Sequence, residues 1–338
     1  MTKETSHKTN LVFFYSEGAP NDNALDLCEN KQLVLDAAKD HVDNISYYTP
    51  KKLRDLGFEG YVREYDSSGL VSQNPGMSKI GFCAWRPLIL LLEMEKMNEG
   101  DILIYRDSNI LKYRKLSNYN DIKNIAEQCL TLCGFDFFIP HHDSLIKNRE
   151  LTKTNIIREL GEDNFFSYEY PALQAGFIVI RKSEVSMQLL QEWLDACSNE
   201  EWINGQQYGE LDSQFHHSTP EQAILSVIIA NWVRKGIHNI PVTYPLISIR
   251  AGRDINKIIF RTDFSYLTIL NKSDAEYINL PSYINKKNIK GLLKFSSSLI
   301  SNFILKKKYE ILKSYNKIKP SKSINDKIIS LREKLGKE

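Results

Sequence analysis

Cysteine is scarce and unpatterned in this chain. The five among 338 residues (Cys28, Cys83, Cys129, Cys133 and Cys197) fall at no spacing that builds a zinc site or a disulfide framework. Cys129 and Cys133 stand four apart on a predicted helix, where they read as packing residues. The odd count, with a polar opening from Met1 to Asn10 that lacks an apolar secretory core, sets the expectation of a reducing, cytoplasmic setting. No stretch approaches the roughly 18 consecutive apolar residues of a membrane span. There is no internal repeat. No nucleic-acid-binding module is recognisable either, and the body of the chain is acidic, so nucleic acid is not an expected partner.

A net excess of one charge sign is also lacking, since the formal charge is only +2. That balance hides an asymmetry. Residues 286–338 hold 15 Lys and Arg against 4 Asp and Glu, whereas residues 1–285 hold 29 against 38. A basic tail on an acidic body predicts two parts: a catalytic-size domain over 1–285, and a basic, partly helical extension over 286–338. The extension is suited to an anionic membrane surface, which would make the protein peripheral on the inner face of the membrane. As a plain solvated face, the same tail would bind nothing.

The body is of ordinary composition, 42% hydrophobic and 25% charged, which suits a globular fold with a sizeable core. Leu11 to Tyr15 reads as a first strand, 24–42 as a helix, and Ile45 to Tyr48 as a second strand; Thr49-Pro50 then starts another helix as cap and first-turn proline. This β-α-β alternation predicts an α/β fold with a mixed, mainly parallel sheet flanked by helices. Further along, a helix is expected over 119–133, a strand over 135–139, a weaker helix over 151–160, a strand over 174–181, a helix from Ser183 to Ala196, and a polar loop over 198–218. Thr219-Pro220-Glu221-Gln222 reads as a capping box opening an apolar helix, and 242–249 as a late strand.

The stretch from Gly100 to Asn109 organises these parts. A turn pair, Glu99-Gly100, leads into Ile102-Leu103-Ile104-Tyr105, and the run stops at Asp107 and Asn109. It reads as a buried strand that delivers an acid to its C-terminal end, the edge where open α/β sheets bind ligands. An Asp and an Asn two residues apart there can offer oxygens to a hard divalent cation, which would clamp a diphosphate.

The ordered set Trp85-Arg86-Pro87, an apolar helix, Gly100 to Asn109, Gln174-Ala175-Gly176 and Glu221-Gln222 resembles glycosyltransferases of the GT-A fold. It is most similar to retaining galactosyl- and glucosyltransferase-like enzymes and to bacterial polysaccharide glycosyltransferases. The resemblance runs from Leu11 to Ile249. It implies a hexosyltransferase-like enzyme that moves a sugar from a nucleotide-diphosphate donor to a glycan or lipid-linked glycan acceptor, in surface polysaccharide synthesis. It implies Asp107 and Asn109 as a DxD-like motif holding Mn²⁺ or Mg²⁺, and Arg86 at the donor sugar or phosphate. Gln174 and Ala175 would line the sugar pocket, Tyr15 would hold the base, and Glu221 and Gln222 would face the anomeric carbon. For an inverting enzyme, Asp212 and Glu221 are the candidate bases. Asn109 in place of an acid removes one charge from the metal site. A late His ligand has no clear counterpart, since His216, His217 and His238 fall in the wrong contexts.

Each of these residues also has a structural reading. Asp107 can end a turn, Glu221 suits a helix first turn, Gln222 completes the capping box, and Arg86 can start a solvated helix. Two other functions therefore stand beside the transferase. One is a non-catalytic binding or assembly module on the same fold; the other is a phospho- or nucleotidyltransferase using the same crevice.

Overall fold

A computed structural model describes residues 7–17, 28–65, 69–71, 80–108, 122–142, 146–238, 243–245 and 260–262. The basic tail from 286 onward and Asn109 lie outside the described residues.

The first half alternates as its hydrophobic spacing predicts. Strand β1 (Thr9–Phe14) is followed by helix α1 (Cys28–Ala38), β2 (Asn44–Tyr48) and α2 (Pro50–Asp55). Thr49 caps α2 by accepting from the Lys52 N–H at 3.1 Å, with Pro50 in the first turn. Two short 3-10 turns, Glu59–Val62 and Gly81–Cys83, lead into α3 (Trp85–Met94) and the central strand β3 (Ile102–Arg106). Then come α4 (Ile122–Cys133), β4 (Phe137–Phe138), three short helices α5 (Asn148–Leu151), α6 (Thr154–Glu159) and α7 (Phe165–Glu169), and β5 (Phe177–Arg181). Helices α8 (Glu184–Cys197), α9 (Glu200–Ile203) and α10 (Pro220–Arg234) complete this part, and β6 (Thr243–Pro245) pairs antiparallel with β7 (Phe260–Thr262).

The main sheet has five strands in the order β2-β1-β3-β5-β4. Strand β1 pairs in parallel with β2 and β3, and β5 runs antiparallel to both β3 and β4. The result is a mixed sheet, mostly of one direction, with helices on both faces. The inner strand β1 is joined to β2 through α1 on one face, and β2 is joined to β3 through α2 and α3 on the other, as right-handed crossovers require. On the α3 face, Phe14 stacks on Trp85 at 3.8 Å, and the Tyr48 hydroxyl donates to Glu93 at 2.7 Å. On the α1 face, Phe13 stacks on Tyr47 at 5.7 Å, and Lys123 of α4 reaches back to Asp43 at 2.9 Å. Helix α10 is apolar almost all round and almost wholly buried, packed against α8 and α7.

Cys129 and Cys133 are buried on the inner side of α4, and burial pushes the Cys133 thiol up to about 12, so both act as packing residues. Gly100 takes a left-handed φ of 84° in the turn before β3, and Asp101 then accepts the backbone N–H groups of Lys8 at 2.8 Å and Asn98 at 3.0 Å.

Some sequence expectations are revised. The helix expected over 151–160 is present but starts late, at Thr154, after a break at Thr152 and Lys153, whose backbone is extended with ψ of 131° and 136°. The break turns Lys153 inward to 1% exposure, where its ammonium donates to the carbonyl oxygens of Glu201, Asn204 at 2.9 Å and Gln206 at 3.4 Å. The polar loop over 198–218 thus contains a helical turn, α9, whose C-terminal carbonyls are capped by a lysine from elsewhere. Of the strand expected over 242–249, only Thr243–Pro245 is described as strand.

Replacing Lys153 by Met should strip these carbonyls of their partner and lower stability by roughly 2–3 kcal/mol in urea denaturation. Burial pulls the Lys153 pKa down from 10.5 to about 8. Between those values the unfolded chain holds more protons than the folded one, so the wild-type advantage over the variant should grow as pH rises from about 8 to 10.5.

Candidate functional site at the end of the central strand

Asp107 follows directly on β3. Its backbone N–H donates to Gly176 O at 3.1 Å, which joins the end of β3 to the start of β5. Residues two apart on a strand share a face. The Tyr105 hydroxyl accordingly donates to Asp107 Oδ1 at 2.8 Å, and Arg86 Nη2 meets the same oxygen at 3.3 Å. A side chain at Gly176 would bring its Cβ to 3.2 Å from Asp107 Oδ2, so the glycine leaves room for the carboxylate.

Arg86 reaches this place through a strained turn. Gly81, Phe82 and Cys83 have φ of 58°, 42° and 67°, and a Cβ on Gly81 would lie 2.0 Å from Tyr61 O. Left-handed backbone at two non-glycine residues is costly, and persists only where surrounding packing over-determines it. Here Trp85 donates through Nε1 to Ile80 O at 3.1 Å and stacks on Phe14, which locks the first turn of α3. The guanidinium of Arg86 is thereby held between Asp107 and Glu221, with Nη1 paired to Glu221 Oε1. The side chains of Arg86 and Glu221 are 7% and 2% exposed, against 22% for Asp107. Burial by itself would lower the Arg86 pKa, yet the neighbouring Tyr105, Cys83 and Asp107 outweigh it, and its pKa lies above the ordinary value. Burial pushes the Tyr105 phenol well above its usual range, so it stays a proton donor toward Asp107.

Gln222 ties the start of α10 to the start of β5. Its Oε1 accepts the Ala175 N–H at 2.7 Å, and its Nε2 donates to Thr219 Oγ1 at 3.2 Å. The expected capping box does not form: the Thr219 side chain makes no cap hydrogen bond, and its N–H already goes to Leu151 O at 3.2 Å. The Gln222 side chain, released from capping, is spent on tertiary positioning. Gln174 is buried beside it, with its N–H on Pro140 O at 2.8 Å.

Other expected residues lie elsewhere. Asp212 lines a separate cavity of about 340 Å³ with Arg149, Tyr168 and Phe165; its N–H donates to Thr154 Oγ1 at 2.8 Å and its carboxylate lies 3.9 Å from Arg149. His216 is exposed near Glu150, and His238 packs against Phe135. Tyr15 extends β1 by donating its N–H to Tyr48 O at 2.8 Å, and its ring lies 5.6 Å from the Lys31 ammonium. One functional candidate was overlooked in the sequence. His142 is buried, with Nε2 at 3.5 Å from Gln222 Nε2. Its only signal is the Pro140-His141-His142 run closing a short strand, which nothing local connects to Gln222, 80 residues later.

Among the described residues, no group of three His, Cys, Asp or Glu gathers as a metal cage. Asp107, already engaged by Arg86 and Tyr105, is the carboxylate that the strand presents at this edge. That set suits Mg²⁺ or Mn²⁺ only in the mode where one carboxylate anchors the ion and substrate phosphates and water complete its shell.

Arg86→Met leaves Glu221 buried without its counter-charge and should cost about 3–5 kcal/mol in chemical denaturation; adding Glu221→Leu should recover part of that loss. Comparison with known protein families, with characterised proteins and with solved structures finds no match for the chain.

Proposed function

We propose that the protein is a glycosyltransferase that takes a sugar from a nucleotide-diphosphate donor at the C-terminal edge of its sheet. The observation that supports this reading is the braced carboxylate at the end of the central strand, with Arg86, Tyr105 and Gly176 converging on Asp107. Cleavage of such a donor builds negative charge on the departing diphosphate and positive charge on the sugar. A bound Mg²⁺ or Mn²⁺ would supply electrostatic stabilisation to the leaving diphosphate.

The chain's own residues divide the remaining work. Asp107 presents a carboxylate whose direction is set by the Tyr105 hydroxyl and Arg86. Arg86 and Glu221 are positioning residues, since each is sealed against the other. Gln222 holds the Ala175 backbone and with it the segment from Gln174 to Gly176 that faces Asp107. The acceptor is a glycan or lipid-linked glycan of a surface polysaccharide, and the basic residues of 286–338 bring the enzyme to an anionic membrane. A non-catalytic nucleotide-binding module is the second reading, favoured by the engagement of both Asp107 and Glu221 with Arg86 and by the lack of a three-ligand metal cage among the described residues.

Thermal shifts and donor turnover with UDP-, GDP-, CMP- and dTDP-sugars, with and without Mn²⁺, separate the two. The transferase should be stabilised by one donor class in a metal-dependent way and should turn it over, and Asp107→Ala should abolish turnover. Stabilisation without turnover or transfer would establish the module instead. Deleting residues 286–338 should release the protein from anionic vesicles in co-sedimentation; undiminished binding would refute the membrane role.

A further inference from the structure

The cation that a phosphate-binding edge requires is hard to find on the α3 face, because Arg86 is consumed by two carboxylates. The other face of the same edge offers two. Arg106, the last residue of β3, alternates away from Tyr105 and Asp107 and therefore faces the α1 side. It is 5% exposed, and among the described residues no carboxylate pairs with it; its Nε is sealed from solvent with no acceptor. Phe177 is its partner on β5, and on the other side Phe13 of β1 lies one residue on from the Val12–Tyr105 pair. Lys31, in the first turn of α1, is likewise without an acidic partner among the described residues. Its ammonium sits over the rings of Tyr47 at 5.2 Å and Tyr15 at 5.6 Å.

Strand register places these groups in one row. Arg106 on β3, Phe13 on β1 and Tyr47 beneath Lys31 on β2 are successive neighbours across the sheet. Three adjacent strands span about 10 Å, a distance two long basic side chains can close from either end. A guanidinium that is mostly buried, with one N–H sealed and unpaired, carries a folding cost. An anion arriving from solution would supply what the fold withholds, and a guanidinium suits phosphate oxygens through paired N–H donors.

We infer that Arg106 and Lys31 form a diphosphate-binding site on the α1 face of the strand edge, and that they, and not Arg86, receive the phosphates of the nucleotide ligand. This rests on the reading of the edge as a nucleotide-sugar site. It assigns the two faces different tasks: the α3 face holds and orients Asp107, and the α1 face holds the diphosphate.

The test uses the full chain and inorganic pyrophosphate, with UDP and GDP as second probes, in calorimetric titration and thermal unfolding. Wild type should bind pyrophosphate. Arg106→Met should weaken binding tenfold or more, and Lys31→Met several-fold. Without ligand, Arg106→Met should unfold at the same or a higher temperature than wild type, because a merely structural arginine would lower it. Three results overturn the inference: no pyrophosphate binding by wild type, unchanged binding in Arg106→Met, or an unliganded Arg106→Met protein destabilised by several degrees. Turnover separates this from the broader reading. Arginine-dependent pyrophosphate binding without transfer of any sugar keeps the site and removes the transferase. Transfer that survives Arg106→Met at wild-type efficiency keeps the transferase and removes the site.

Discussion

A guanidinium locked between two carboxylates ties three distant parts of this chain together. Arg86 enters from the first turn of α3, Asp107 from the end of β3 and Glu221 from the first turn of α10. With so little water around the group, neither carboxylate can leave without stranding a buried charge. The strained turn over Gly81, Phe82 and Cys83 makes sense in that light. Its cost is met by the packing of Trp85 on Phe14 and by the position that it forces on Arg86. The same bundle orders the end of the central strand, because Gln222, adjacent to Glu221, grips the Ala175 backbone and Gly176 leaves space for Asp107.

The two faces of the central strand then carry different electrostatics. Toward α3, charges are matched: Arg86 with Asp107 and Glu221, and Glu93 with Tyr48 and Lys96. Toward α1, among the described residues, Arg106 and Lys31 are cations with aromatic neighbours and no acids. Alternation along one strand is enough to produce this contrast, since Asp107 and Arg106 are consecutive in sequence yet face opposite layers. The edge thus carries a braced carboxylate on one side and, among the described residues, cations without acidic partners on the other.

Much of the scaffold was legible locally. Apolar runs bounded by turn residues marked β1, β2, β3 and β5. Thr49-Pro50 marked α2, and Ser183 marked α8, where it caps the helix as its position suggested. Boundaries slipped where a tertiary partner outweighed local preference. The helix predicted from Leu151 starts only at Thr154, where backbone carbonyls near α9 take the Lys153 ammonium inside. Gln222 left its cap because Leu151 O had already taken the Thr219 N–H. Both competing partners lie tens of residues away in sequence, beyond the reach of any window-based signal.

The candidate site divides along the same line. Composition and spacing by themselves determined that this is an α/β chain, that an apolar strand ends on Asp107, and that Arg86 and Gln174 to Gly176 stand at element boundaries. Those are properties of short stretches, set by backbone preference and hydrophobic period. Tertiary structure alone decided what each group does with its charge. It sealed Arg86 and Glu221 against each other, moved Asp212 to a separate cavity, brought His142 to Gln222, and buried Arg106 with no carboxylate partner among the described residues. Pairing and burial depend on which elements meet across the sheet, and charge in a low-dielectric interior is governed by those neighbours and not by the residues beside it in sequence.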